Sequence, residues 1–135
     1  MDKFKRVYFT EMPMDICKAV VVGKLIFLSG MEGVDFDKGL SVADDVMEQT
    51  EVAVRKIHNT LKELGLSIGN MVKHTIYLKK GAADPIAIIQ KFHAESQKYA
   101  PELKKKPSTG TIVVIDGLAT EALKIEIDSV AAYPD

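Results

Sequence analysis

The chain has 135 residues, a length that suits one domain, and can bury roughly two thirds of its unfolded surface without disulfides or metals. Its 18 basic and 19 acidic residues leave a net charge of -1, which gives no electrostatic basis for binding nucleic acid or a membrane surface. The single cysteine, Cys17, excludes an internal disulfide and fits a reducing compartment, and no apolar run reaches membrane-spanning length.

Residues 4–9 read as a first short strand. Residues 19–22 and 25–28 are β-rich runs flanking Gly23-Lys24. Glycine at the first central position suits a type II′ turn, so the pair reads as a hairpin ended by Ser29-Gly30. A loop follows through Asp35, Asp37 and Gly39. Ser41 and Asp44 resemble a capping box, and Val46, Thr50, Ala53, Ile57, Leu61 and Leu64 then recur at helical spacing. Gly65 falls where a left-handed cap would end that helix. Residues 71–78 read as a strand. Asp84-Pro85 gives an N-cap followed by proline at the first helical position. This second helix is expected to turn Ile89, Phe92 and Tyr99 inward and to stop before Pro101. Residues 104–107 form a loop, 111–115 a strand, Asp116-Gly117 a turn and 123–131 the last strand. No repeat, low-complexity tract or linker interrupts the chain, so 1–135 reads as one domain. The start, Met1-Asp2-Lys3, lacks the layout of a secretion leader, so the expected location is the cytoplasm.

The predicted order is strand, hairpin, helix, strand, helix, strand, strand: an α+β layout with two helices on one face of a sheet. In the last strand Leu123, Ile125, Ile127 and Ala131 share one side, and Lys124, Glu126 and Asp128 the other. In the strand before it Thr109, Thr111, Val113 and Ile115 share one side, opposite Gly110, Ile112 and Val114. A sheet half covered by helices should be polar on its free face. This strand and 71–78 are apolar on both, which implies that a second subunit covers part of the free face.

Several segments together resemble the RidA/YjgF family, also known as L-PSP endoribonucleases or translation inhibitors. Gly23-Lys24-Leu25-Ile26-Phe27-Leu28-Ser29-Gly30 resembles its "G-x-L-I-F-x-S-G" hairpin. Gln49-Thr50 followed by Asn59, Leu61, Leu64 and Gly65 resembles its "Q-T … N-L … L-x-x-x-G" helix. Met71-Val72-Lys73-His74-Thr75-Ile76-Tyr77-Leu78 resembles "D-I-V-K-x-T-V-Y-L", and Ile125-Glu126-Ile127-Asp128-Ser129-Val130-Ala131 resembles "V-E-I-E-A-I-A". The resemblance implies a fold like that of the bacterial chorismate mutases: a mixed sheet with two helices on one face, assembled as a homotrimer with small-metabolite clefts between subunits. It implies hydrolysis of reactive enamines and imines, such as 2-aminoacrylate, to keto acid and ammonia, with no cofactor and no metal. In that family an arginine forks the substrate carboxylate, and a glutamate of the last strand helps place the attacking water.

Carried over residue by residue, Ser29 matches the hairpin serine, Glu126 the water-placing glutamate and Thr111 the usual cysteine, serine or threonine. The arginine of the family's "P-A-R" motif falls on Thr109, in Pro107-Ser108-Thr109. The tyrosine before the hairpin strand falls on Ile16. The asparagine of the second helix falls on Ile89, or on Gln90 if the preceding loop is one residue longer. Met31 stands where glutamine often follows Ser-Gly. A threonine offers one hydroxyl in place of five guanidinium hydrogens, so the chain reads as a divergent member without the carboxylate fork.

Outside the resemblance, Glu126 also reads as an acid paired across a subunit interface. Thr109 and Thr111 suit a pleated strand as simple packing. His74 alternates with Val72 and Ile76 and reads as a satisfied, partly buried histidine. His58 and His93 have no second ligand at metal spacing. Lys104-Lys105-Lys106 reads as a solvated loop, though it lies just before the vacated arginine position and one of its lysines could reach the cleft. Three functions compete: a cofactor-free hydrolase on a small imine, enamine or carbonyl metabolite; a binding or regulatory module with the same cleft; and the ribonuclease of the family's older name. The last is disfavoured, because no histidine pair and no basic stripe are apparent.

Overall fold

A computed structural model describes residues 3–135; Met1 and Asp2, part of the amino-terminal stretch read above, lie outside them. Six strands form one mixed sheet: β1 (Lys5–Tyr8), β2 (Cys17–Val22), β3 (Leu25–Glu32), β6 (Met71–Lys79), β7 (Thr109–Ile115) and β8 (Ile125–Ala132). Two short strands, β4 (Val34–Asp35) and β5 (Ser41–Val42), pair separately. The order across the large sheet is β1-β2-β3-β8-β6-β7, and every neighbouring pair is antiparallel except β6–β7. A parallel pair needs a crossover, and helix α2 (Pro85–Tyr99) supplies it. Helix α1 (Val46–Lys62) joins the β3 side of the sheet to β6.

Both helices pack on one face. Ile125, Ile127 and Ala131 of β8 are fully buried there, with Ile26 of β3, Ile76 of β6, Ile57 and Leu61 of α1, and Phe92 of α2. The stripe expected on α1 is buried throughout, from Val46 to Leu64. Gln49, also fully buried, fastens this helix to the chain before β8: its amide donates to the carbonyls of Ala43 and Ala122, and its Oε1 accepts from the Lys124 N–H. Gly65, at φ +76°, closes the helix with Gly65 N–H to Lys62 O and Leu66 N–H to Leu61 O, the two bonds of a Schellman motif. Gly23 is at φ +61° while Lys24 is not left-handed, which agrees with the type II′ hairpin.

Four local expectations are corrected. The N-cap of α1 is Asp45, whose carboxylate accepts from the Met47 N–H; Ser41 lies in β5 instead. The loop from Asp35 to Gly39 holds a 3-10 turn whose cap is Asp35, and its flanks pair as β4 and β5. The hairpin does not end at Ser29-Gly30, because β3 continues to Glu32 through a bulge between Leu28 and Met31. On α2, Ile88, Phe92, Glu95 and Ser96 are buried, whereas Ile89 is half-buried and Tyr99 is exposed, stacked on His58 at 4.5 Å. Glu95 can face inward because Lys91 and Lys98 both donate to its Oε1, at 3.1 and 2.7 Å.

The opposite face of the sheet has no helix. Cross-strand register places Val22 beside Leu25, Val20 beside Phe27, and Glu32, Glu126, Tyr77 and Val113 in one row across β3, β8, β6 and β7. Val22, Leu25, Phe27 and Val113 are exposed.

Candidate functional site

The sequence-selected residues fall in two regions. The first lies where α2 meets the edge strand β7. A cavity of about 250 Å3 opens there, lined by His74, Ile76, Ile89, His93, Ser108, Gly110, Thr111 and Ile112. His74 is buried, and its Nδ1 lies 2.7 Å from Ser108 Oγ. Its ring packs on Phe92 at 4.5 Å and lies edge-on to His93 at 6.4 Å. Burial, helped by the charges of His93 and Lys73, pushes the His74 imidazole down to about 4, so the ring is neutral at pH 7. Gly110 is obligatory beside it, since a Cβ there would overlap the His74 ring. Of the two alternatives for the helix position, Ile89 lines the cavity and Gln90 is exposed.

Thr109 is exposed at the start of β7, and its Oγ1 donates to the Val72 carbonyl at 3.0 Å. It lies on the helix-free face with its register partner Lys73, as the strand phasing predicts.

The second region surrounds the β3 bulge. Ser29 is half-buried and donates to the Cys17 carbonyl at 2.6 Å. Ile16 is exposed and lines a shallow groove with Arg6, Tyr8, Met14, Asp15 and Cys17. Glu126 is half-buried on the helix-free face, directly opposite Glu32. A Cβ on Gly30 would come within 2.8 Å of the Glu126 carboxyl, so the bulge lets this side chain lie against bare backbone. Desolvation first, then the hydrogen bond and charge of Glu32 and the charge of Asp128, raise the Glu126 carboxyl to about 6 against a weaker opposing pull from Lys56. Lys56 is itself buried; its Nζ donates to the Glu32 carbonyl at 2.9 Å, lies 3.8 Å from Glu32 Oε1 and sits 4.2 Å from the Phe36 ring centre. Burial lowers this ammonium to about 8.

Sequence reasoning missed Glu32 and the meeting of His74 with His93. The bulge adds one residue to β3, which flips every later side chain to the other face, so alternation counted from Leu28 puts Glu32 on the wrong side. His74 and His93 are nineteen positions apart on a strand and a helix, and no local spacing links them.

Within one chain the two regions do not meet. Thr109 lies four residues along and two strands across from Glu126, roughly 16 Å by standard strand spacings.

The class of protein defined by this fold is an α+β domain of the chorismate-mutase-like type, with two helices on one face of a mixed sheet. The endoribonuclease L-PSP family model matches residues 15–133, and the chain belongs to that family, whose members include the RidA/YjgF proteins. Two RutC family proteins are similar: one from Pyrococcus abyssi is 39% identical over 79 residues, 56% of this chain and 62% of that one, so that match spans under two thirds of the relative; one from Pyrococcus horikoshii is 28% identical over 131 residues, 94% and 97% of the two chains. The human 2-iminobutanoate/2-iminopropanoate deaminase is 28% identical over 114 residues, 84% of this chain and 77% of that protein. The crystal structure of the YjgF gene product of Escherichia coli matches with a TM-score of 0.73 at 20% identity, over 96% of this chain and 99% of that one, and so shares the fold.

Chemically, the first region offers apolar walls with neutral donors and acceptors. Among the described residues no lysine or arginine lines that cavity, and Lys104, Lys105 and Lys106 are exposed and outside its lining. The second region offers a carboxyl able to hold a proton near neutral pH.

Proposed function

We propose that the protein is a homotrimer whose clefts pair the α2–β7 region of one subunit with the β3–β8 region of the next, and that it hydrolyses small imines or enamines lacking a free carboxylate, without a cofactor. The observation that carries this reading is Thr109, whose hydroxyl is held by the Val72 carbonyl at the position where the family's carboxylate-binding arginine falls. Its sequence neighbours Ser108 and Gly110 line a cavity walled by Ile76, Ile89 and Ile112 on the helix side of β7, which Thr109 itself does not line. A carboxylate entering such a site loses hydration without a partner, a cost of several kcal/mol. The roughly 16 Å between Thr109 and Glu126 supports a cleft shared by two copies, since one small molecule cannot reach both within one chain. The deaminase name of the human relative supports the reaction class.

In this reading Glu126 moves protons. Its carboxyl gives a proton to the imine nitrogen, and the resulting carboxylate takes one from water as the oxygen bonds to carbon. The carbinolamine nitrogen is then protonated by Glu126, its hydroxyl proton returns to Glu126, the C–N bond breaks, and ketone and ammonia leave. Water is the only co-reactant. Ser29, Thr109, Thr111 and Ile16 line the cleft, and Ile89 takes the place considered for Gln90. The ribonuclease activity in the family's name is not proposed: His74 and His93 do share the cavity, but His74 stays neutral and, among the described residues, no lysine or arginine lines the cavity to hold a phosphate.

The test is acceleration of hydrolysis of imines released in situ, either uncharged ones from an amine oxidase or 2-imino acids from an amino-acid oxidase. Uncharged imines should be hydrolysed at least about tenfold faster per active site, the ratio for 1.4 kcal/mol. Acceleration of neither class would leave a binding module. Faster hydrolysis of 2-imino acids would overturn the reading.

A further inference from the structure

Glu32 is absent from every motif that the sequence shares with its family, yet it stands directly across from Glu126 on the neighbouring strand. Two carboxylates at such a position repel and would destabilise the sheet if both were charged. The surroundings favour close approach over separation. Gly30 leaves room for the Glu126 carboxyl against the β3 backbone, and a proton held between the two opposed carboxyls would relieve their repulsion. The charged and titratable groups facing the pair come from three elements. Asp128 of β8 adds a further negative charge, while Lys56 of α1 reaches Glu32 at 3.8 Å; Tyr77 of β6 lies opposite Glu126. Because Lys56 sits at Glu32, negative charge is favoured on Glu32 and the proton on Glu126.

We propose that Glu32 and Glu126 form a carboxyl–carboxylate pair sharing one proton, with Lys56 holding the charge on Glu32, so that Glu32 positions the proton that Glu126 uses in the cleft. The proposal rests on the reading of Glu126 as the proton-moving group. It adds a positioning residue that touches no substrate and acts through its neighbour. The chemical consequence is selectivity for substrates that must be protonated before water adds, the weakly basic imines and enamines.

The experiment is a pH titration of carbon-13-labelled glutamate carboxyl signals by NMR in the intact assembled protein, with Glu126→Gln assigning the Glu126 signal. The native protein should show Glu126 titrating near 6. Glu32→Gln should lower that midpoint by at least one unit and reduce imine hydrolysis at pH 7 by about tenfold or more, and Glu32→Asp should restore part of both. Lys56→Met should move the midpoint upward. A native Glu126 midpoint near 4.5, or one unmoved in Glu32→Gln, would overturn the proposal, and the first result needs no variant to fold. The titration requires no substrate, so a protein with the expected midpoints but no hydrolysis would sink the enzymatic reading while leaving the proton pair intact.

Discussion

Buried against Phe92 and bonded to Ser108, His74 ties stability to pH. Its folded value of about 4 lies below the ordinary 6.5, so between those pH values the unfolded chain binds a proton that the native state refuses. Stability from this group is complete above pH 6.5 and lost as pH falls to 4, about 3 kcal/mol in all. Glu126 has the opposite sign. Its raised value of about 6 favours the protonated native state, so stability is gained as pH falls from 6 to 4.5, about 1 kcal/mol once solvent screening of this half-buried group is allowed for. Urea denaturation across this range should therefore show a shallow decline in the native protein. In His74→Gln the decline should reverse into a gain; an unchanged profile would show that His74 is not held neutral. A second residue-scale test concerns Gly110. Its Cβ-free surface receives the His74 ring, so Gly110→Ala should cost about 1–3 kcal/mol in chemical denaturation, whereas Gly117→Ala, with open space around it, should be close to neutral. Equal effects at both sites would refute the packing argument.

Among the elements, the buried face and C-terminal end of α1 were legible because its stripe is regular, and both its glycine cap and the hairpin turn use residues with one conformational meaning, whereas its N-cap was misplaced from Asp45 to Ser41. Helix α2 was misphased for a physical reason. A buried position is occupied by Glu95, which two lysines neutralise, so hydropathy pointed to Tyr99, a ring that stacks on His58 outside the core. Strand β3 misled in the same way, since its bulge leaves no mark in composition but decides that Glu32 faces Glu126. The free face of the sheet provides a test at this scale. Val22, Leu25 and Phe27 form its exposed apolar end, and a second subunit would bury them. Light scattering of the native protein should give about three times the 14.9 kDa chain mass. Phe27→Asp with Leu25→Asp should give a folded monomer that has lost hydrolysis. A native monomer would remove the shared cleft, and an unaffected assembly in the double variant would place the interface elsewhere.

For the whole molecule, periodicity gave the two-layer class but not the strand order. The insertion of β8 between β3 and β6 is a long-range choice, and only the family resemblance anticipated the architecture. The resemblance also brought Ser29, Thr109, Thr111 and Glu126 forward, but it could not show that Thr109 and Thr111 lie in one region and Ser29 and Glu126 in another across the sheet, or that a second carboxyl and two histidines join them. The reading of Thr109 as standing at the family's arginine position leads to the central functional expectation. That expectation is tested most directly by hydrolysis of a 2-imino acid, comparing the native protein with Thr109→Arg in an assay of ammonia release. The native protein should give little acceleration, and the variant should gain at least about tenfold as the guanidinium forks the carboxylate. Strong acceleration by the native protein, with no gain from the arginine, would contradict the account and would direct attention to another cation, with Arg6 in the Ile16 groove the first to examine.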